Sequence, residues 1–464
     1  MSELNLTNRI DAFIEANKDA ILRDIKTLVD IDSVEAAALP GKPFGAGVDA
    51  ALCAALSMAQ SMGLDAKNLD GYFGYADLTG ASETQIATIA HLDVVPQGNG
   101  WTQDPFCMER RDGYLIGRGV ADDKGPAVLT LYAAKFLKES GETLPYTLRV
   151  MFGTNEETGM KGLTYYKSKF DDPAFCFTPD GSFPVCYGEK GIFTGTFHSQ
   201  KLKGNLVDFE GGIASNVIPD RAFALVRADS SALKNAENIT VTAENNLVRI
   251  AAVGIGGHAA HPAGTVNAIG LVVNYLLDNA LCSADETEYL SMLRDVFAST
   301  DGSTLGIAAD DGVFDPLTCI GGTMEMKDGV LSQGINVRFP TSIDAQKMTE
   351  ILSKKAALAN AVFVPSERVN TPFYIDPKQP VIQTLIDTYN EVTGKQAKPF
   401  TMGGGTYARD FQCAVSFGME EENEPVPAWV GPMHGADEGV AEALLWRSLK
   451  IYILAILRLM KLPF

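Results

Sequence analysis

Apolar residues in the first thirty positions recur at helical spacing. Ile10, Phe13, Ile14, Ile21, Leu22, Ile25, Leu28 and Val29 predict one amphipathic helix over 8–29. The pattern then alternates: apolar runs at 86–90, 146–152 and 174–177 predict strands, and 3.6-residue periodicity predicts helices over 127–138 and 162–170. Such alternation is that of an α/β sheet covered by helices on both faces. After about residue 186 come strand-like pieces at 191–197, 222–228 and 247–253 with helical stretches between them, the pattern of a second, α+β domain. Around 372–380 the chain turns polar and proline-rich, and helical periodicity returns over 381–392 and 440–460. A chain of 464 residues exceeds one ordinary core. The expected organisation is therefore an α/β domain with a mixed sheet, made of residues 1–186 and 378–464 and interrupted by an inserted α+β domain, 187–377.

Composition narrows the classes of function. With 46% hydrophobic and 21% charged residues the chain is globular rather than disordered or membrane-embedded. A formal net charge of -20 repels phosphate backbones and anionic lipid, so no nucleic-acid or membrane partner is expected. The longest apolar run near the C-terminus, 451–457, is far short of the ~20 residues a bilayer requires. The opening MSELNLTNRIDAF has no basic, then apolar, leader pattern, and cytoplasmic residence is expected. Seven cysteines without a C-x-x-C pair fit a reduced compartment and argue against thiolate zinc sites. A metal here would use histidine and carboxylate.

The predicted strand ends are rich in such groups. The first runs into His91-Leu92-Asp93, and Asp122-Asp123-Lys124-Gly125 precedes the next helix. Another ends in Asn155-Glu156-Glu157, and the fourth in Thr178-Pro179-Asp180-Gly181. In α/β sheets the loops at strand ends converge on one crevice. H-x-D alone is weak, and an adjacent glutamate pair is by itself a solvated loop, but neighbouring acids raise each other's pKa unless a cation is near. Together these strand ends predict a metal centre. His91, His434, Asp122, Glu157 and Asp180 are five ligand-type groups, one more than a tetrahedral zinc holds, so two divalent ions sharing a carboxylate are expected. Their +4 balances three carboxylates and one hydroxide. Asp93, two residues from His91 on the same strand face, would accept a hydrogen bond from its imidazole. Glu156 stands outside as the uncommitted carboxylate, suited to general-base work on water acidified by metal. No G-x-S-x-G elbow, P-loop or G-x-G-x-x-G is present at a strand-to-helix turn.

HLDVVP (91–96), GRGVADDKGP (117–126), NEETG (155–159), TPDGSFPVCYGEKG (178–191) and MHGADE (433–438) together resemble the aminoacylase and carboxypeptidase type of co-catalytic zinc exopeptidase. EKG after TPDG and GGGTYAR (403–409) are similar, more narrowly, to the bacterial peptidase V dipeptidases. The resemblance implies that His91 and Asp180 hold one zinc, that Glu157 and His434 hold the other, and that Asp122 bridges them. It makes Asp93 the group orienting His91 and Glu156 the general base. Zinc is the expected metal, with manganese and cobalt as alternatives. The inserted domain becomes a lid, in which Asn216 and His258 would stabilise the oxyanion. Arg338 and the backbone of Gly403, Gly404 and Gly405 would hold the substrate carboxylate. Within GGHAAHP, His258 matches the family position better than His261. His198 reads as structural, and the role of Arg409 stays open. Asp437 stands where the family often has asparagine. The implied activity is metal-dependent hydrolysis of dipeptides or similar short peptides with a free C-terminal carboxylate, by a monomer. The alternatives are an N-acyl-amino-acid deacylase or small carboxypeptidase, and a relative that binds metal or peptide without turnover.

Overall fold

The structure, a computed structural model, describes residues 3–421 and 424–464. It divides into two compact units. The first comprises residues 1–187, 374–400 and 406–464, and the second 188–373 and 401–405.

In the first unit the helix Glu3–Val29 buries the stripe read from the sequence, including Ile10, Ile14, Ile21, Ile25, Leu28 and Val29. Burying each such side chain contributes about 1.5–3 kcal/mol. Phe13, on the same helix, meets Phe136 edge-on at 5.2 Å, which joins it to the helix Lys124–Glu139. Six strands of the nine-stranded sheet run in the order Asp65–Leu69, Phe73–Leu78, Thr147–Gly153, Gln85–His91, Phe175–Thr178, Ala414–Ser416. The last four of these strands are mutually parallel and the first two antiparallel, so the sheet is mixed. Thr147–Gly153 is buried along its whole length, as a strand covered on both faces must be.

The helix Ala46–Ser61 and the strands Asp65–Leu69 and Phe73–Leu78 were not among the expected elements. The helix nonetheless carries a periodic stripe, Val48, Ala51, Leu52, Ala55, Leu56 and Ala59, muted because half of it is alanine. The expected helix at 440–460 is shorter. A strand, Gly439–Ala441, pairs with Tyr114–Ile116 before the helix Glu442–Leu459 begins. The apolar run at 451–457 lies in that helix and is largely buried in the core, and no helix among the described residues is long and apolar enough to cross a membrane.

The second unit is built on an antiparallel sheet in the order Ile239–Glu244, Leu247–Val253, Arg221–Val226, Leu206–Gly211, Thr318–Lys327, Val330–Phe339, Gly191–His198, Val362–Pro365. Gly191–His198 alternates buried and half-buried positions, the signature of a sheet with one packed face. Phe193 and Phe197 point into a core completed by Val272, Leu276, Leu290 and Leu352 of the helices Ala268–Asp278, Ala284–Ala298 and Ala345–Leu358.

Candidate metal centre

Parallel pairing decides where the acidic strand ends lie. His91 is in register with Gly153, and Thr88 with Phe177, so three neighbouring strands reach the same edge of the sheet before their loops begin. There His91, Asp93, Asp122, Glu156, Glu157, Asp180 and His434 gather, all within the first unit. Asp122 sits between two histidines: its Oδ1 lies 2.8 Å from His91 Nε2 and its Oδ2 2.8 Å from His434 Nε2. His434 Nε2 is also 3.0 Å from Glu157 Oε1, and His91 Nε2 is 3.8 Å from Asp180 Oδ2.

Among the described residues two triads could hold a metal ion, His91–Asp122–Glu157 and His91–Glu156–Asp180, each with ligand atoms within 4.8 Å of one another. Two ligands on one tetrahedral zinc with bonds of about 2.0–2.2 Å stand roughly 3.3–3.6 Å apart. The separations of 2.8–3.8 Å therefore need only small side-chain adjustments to admit ions.

Electrostatics point the same way. Burial, Asp122 and Glu157 push the Asp180 carboxyl up to about 8. Burial and Asp180 raise Glu156 well above the ordinary carboxylate range. Desolvation opposes charge on His434, but its hydrogen bonds to Asp122 and Glu157 prevail and push it up to about 11. Protons on the histidines and acids do what a cation would do for this cluster, and buried carboxylates crowded in this way are stabilised by a divalent ion.

Asp93 does not act on His91 through its carboxylate as expected. The imidazole Nδ1 meets the Asp93 backbone carbonyl at 2.8 Å, and the nearest carboxylate oxygen is 3.7 Å away. With the Nδ1 proton given to that carbonyl, Nε2 is the nitrogen left facing Asp122, the one placed to serve as a ligand. The carboxylate is engaged elsewhere: Oδ1 accepts the Glu156 N–H and Oδ2 the Glu157 N–H, both at 3.1 Å. Glu156 lies close to His91 and Asp180, with ligand-type atoms of all three within 4.8 Å of one another. Asp180 is placed by its own N–H on Thr178 Oγ1 at 3.2 Å and by Ser416 Oγ donating to its carbonyl at 2.8 Å.

The remaining expected residues lie in the second unit. A two-stranded ladder pairs Val217 with His258, and the Ala259 N–H donates to the Asn216 carbonyl at 2.9 Å, so Asn216 and His258 are neighbours. Both side chains are exposed. Thr318, in register with Arg338, donates its hydroxyl to the Ala259 carbonyl at 2.9 Å. Arg338 donates from Nη1 to the Gly403 carbonyl at 2.9 Å and from Nε to Asn336 Oδ1 at 2.9 Å. These residues form one group, to which Gly403 belongs because a side chain there would strike Ala260. Gly404 is half-buried and Gly405 exposed. His261 follows in a backbone turn, its N–H donating to the His258 carbonyl at 3.0 Å. His198 Nδ1 lies 2.9 Å from Ser332 Oγ on the neighbouring strand. Two buried charged residues absent from the expected set, Arg118 and Glu438, lie behind the centre.

Buried acids gathered with a buried His91 and an exposed His434 at the strand ends of a mixed sheet are the working part of a metallopeptidase, a hydrolase of peptide bonds. The sequence model of Peptidase family M20/M25/M40 matches residues 87–458, and the chain belongs to that family. It is 34% identical to the Beta-Ala-Xaa dipeptidase of Lactobacillus delbrueckii subsp. lactis, across 96% of this chain and 97% of that protein. The fold is shared with the di-peptidase Dug1p from Saccharomyces cerevisiae at a TM-score of 0.62, with 14% identity and 99% of both chains covered. Human carnosine dipeptidase 1 superposes at a TM-score of 0.59, with 14% identity, over 98% of this chain and 99% of that one.

Proposed function

We propose that this protein is a dipeptidase that hydrolyses the amide bond of dipeptides, or similar short peptides with a free C-terminal carboxylate, with two divalent cations, zinc foremost. The observation that carries the reading is Asp122 held between His91 and His434, one carboxylate oxygen to each. This placement supports Asp122 as the ligand two ions would share. His91 and Asp180 would hold one ion, and His434 and Glu157 the other. The name of the Lactobacillus relative supports the substrate class.

When bound, the ions lower the pKa of water from 15.7 towards about 7 and polarise the scissile carbonyl. The chain's own groups do the rest. Glu156, tethered through its N–H to Asp93, takes the proton of the attacking water and returns it to the leaving amine. Asp93 holds the Glu156–Glu157 backbone and, through its carbonyl, the His91 tautomer. In the second unit, which we read as the lid, Asn216 and His258 stabilise the oxyanion, and Arg338 with Gly403, Gly404 and Gly405 receives the carboxylate. Residues 1–186 and 378–464 form the catalytic domain in this reading and 187–377 the inserted lid, and the protein works as a monomer in the cytoplasm. The charge of -20 supports a small peptide rather than nucleic acid or an anionic membrane as partner.

The test is hydrolysis of unprotected dipeptides beside matching N-acetyl amino acids, by metal-stripped protein with and without zinc or manganese. Metal-dependent turnover of the free dipeptides is expected, with Glu156→Ala losing about 10²–10⁴-fold in kcat while retaining its metal. Turnover of acylated substrates alone would replace this reading with a deacylase. No turnover with two ions bound would make the protein a binding relative.

A further inference from the structure

Arg118 and Glu438 form an ion pair, Nη1 to Oε2 at 2.6 Å, with neither side chain more than 1% exposed. Each also reaches past the other into a loop that delivers a ligand. Glu438 Oε1 accepts the backbone N–H groups of Gly119 at 3.0 Å, Ala121 at 3.1 Å and Asp122 at 3.3 Å. Arg118 Nη2 donates to the carbonyls of His434 at 3.1 Å and Gln97 at 3.2 Å, and the Gly117 N–H donates to the Glu438 carbonyl at 2.9 Å. The Trp101 ring covers the guanidinium at 5.2 Å. Two segments 316 residues apart in sequence are thereby tied together directly behind Asp122 and His434.

The His434 loop needs such a tie. His434 and Asp437 have φ of 64° and 55°, left-handed values that side chains other than glycine adopt at a cost, and they persist only where the surroundings impose them. Arg118 holds the first through its carbonyl. Thr102 holds the second, its N–H donating to Asp437 Oδ1 at 2.9 Å. A buried ion pair is a poor way to gain stability, because desolvation offsets its attraction. What this one does supply is a fixed spacing between two loops.

We propose that the Arg118–Glu438 pair is a positioning clamp that sets the separation of Asp122 and His434, and through it the affinity of the His434–Glu157 ion site. The inference rests on the two-metal reading above. It assigns the pair to metal retention rather than to folding, with no contact to substrate. Loss of the clamp weakens the His434–Glu157 ion most, because that ion loses the tie on both Asp122 and His434, whereas the other loses it on Asp122 alone and keeps His91 and Asp180, which reach the centre from strands the clamp does not touch. Removal of a partner that orients metal ligands typically costs 10–100-fold in affinity.

The test is competition of zinc against a chromophoric chelator in metal-stripped wild type, Glu438→Gln, and the double variant Arg118→Met/Glu438→Gln, with thermal melting of each apoprotein. The double variant is the decisive one: it leaves no buried charge unpaired and keeps an amide oxygen for the three N–H groups, so it folds even if the single variant does not. Expected is a melting point close to wild type, a second ion weaker by about 10–100-fold, a first ion weakened clearly less than the second, and peptidase activity restored by excess zinc. A double variant that binds both ions as wild type does overturns the clamp alone. So does one that loses both ions equally together with its melting point, which is a merely structural role. A wild type that takes up no second ion overturns the two-metal reading, and the clamp with it.

Discussion

The carboxylate of Asp93 accepts the backbone N–H of Glu156 at 3.1 Å, and so fixes an acidic turn from the neighbouring strand end. Its other oxygen does the same for Glu157. Asparagine at this position has only one acceptor oxygen and sets an amide donor against the second N–H. Asp93→Asn is expected to lower kcat/KM by about 10–100-fold and to weaken metal retention, read by steady-state kinetics and metal analysis of the purified variant. Wild-type metal content together with wild-type kinetics would remove Asp93 from the centre.

His258 and His261 are both exposed, three residues apart, and only His258 is held in the ladder beside Asn216. Under the proposed function His258→Ala loses about 10²–10³-fold in kcat, the usual cost of one oxyanion donor. His261→Ala stays close to wild type. Kinetics of both variants on one dipeptide decide the matter, and the reverse order would transfer the role to His261.

Gly153 ends the central strand beside His91, and a Cβ there would overlap the hydroxyl and ring of the fully buried Tyr407. Gly153→Ala is expected to cost about 1–3 kcal/mol in chemical denaturation, because the ring has to leave its packed position. In a cycle with Tyr407→Ala the two changes couple by more than about 0.5 kcal/mol, the double variant losing less than the sum of the singles. Strict additivity would show that the contact does not govern the site.

Asp311 in the second unit clasps two segments: it accepts the N–H groups of Val313 and Phe314 at 2.9 Å each, and the N–H and hydroxyl of Thr341 at 2.8 and 2.6 Å. Burial opposes the charge, but these hydrogen bonds prevail and bring the carboxyl from 3.8 down to about 2. A folded-state pKa below the unfolded one stabilises above the unfolded value and is lost as pH falls. Discounted for its partial exposure, the clasp contributes about 1–2 kcal/mol near neutrality. Asp311→Asn should be less stable than wild type by that amount at pH 7, with the gap closing between about pH 4 and pH 2. Denaturant unfolding of both proteins across that range would show it, and a gap independent of pH would exclude the carboxylate charge as its source.

Local pattern alone determines much of this molecule. The stripe from Ile10 to Val29 makes a helix because one face must leave water, and the apolar runs before His91, Asn155 and Thr178 make strands because each is short, continuous and bounded by polar groups. Their alternation with helices specifies an α/β unit with a mixed sheet. The order HLD, ADD, NEE, TPD and MHGADE is likewise written in one dimension, which is why the family is legible without coordinates.

Partnership is not written there. Whether Asp93 meets His91 through its carboxylate or its carbonyl depends on where the Glu156–Glu157 turn offers its N–H groups, which parallel pairing of two strands decides. Glu438, the last acid of its motif, and Arg118, a lone cation in a glycine-flanked segment, carry no local sign of each other, because a contact across 320 residues leaves no periodicity for either segment to show. Only folding brings them together, since hydrogen bonds and charge act over a few ångströms of space and take no account of distance along the chain.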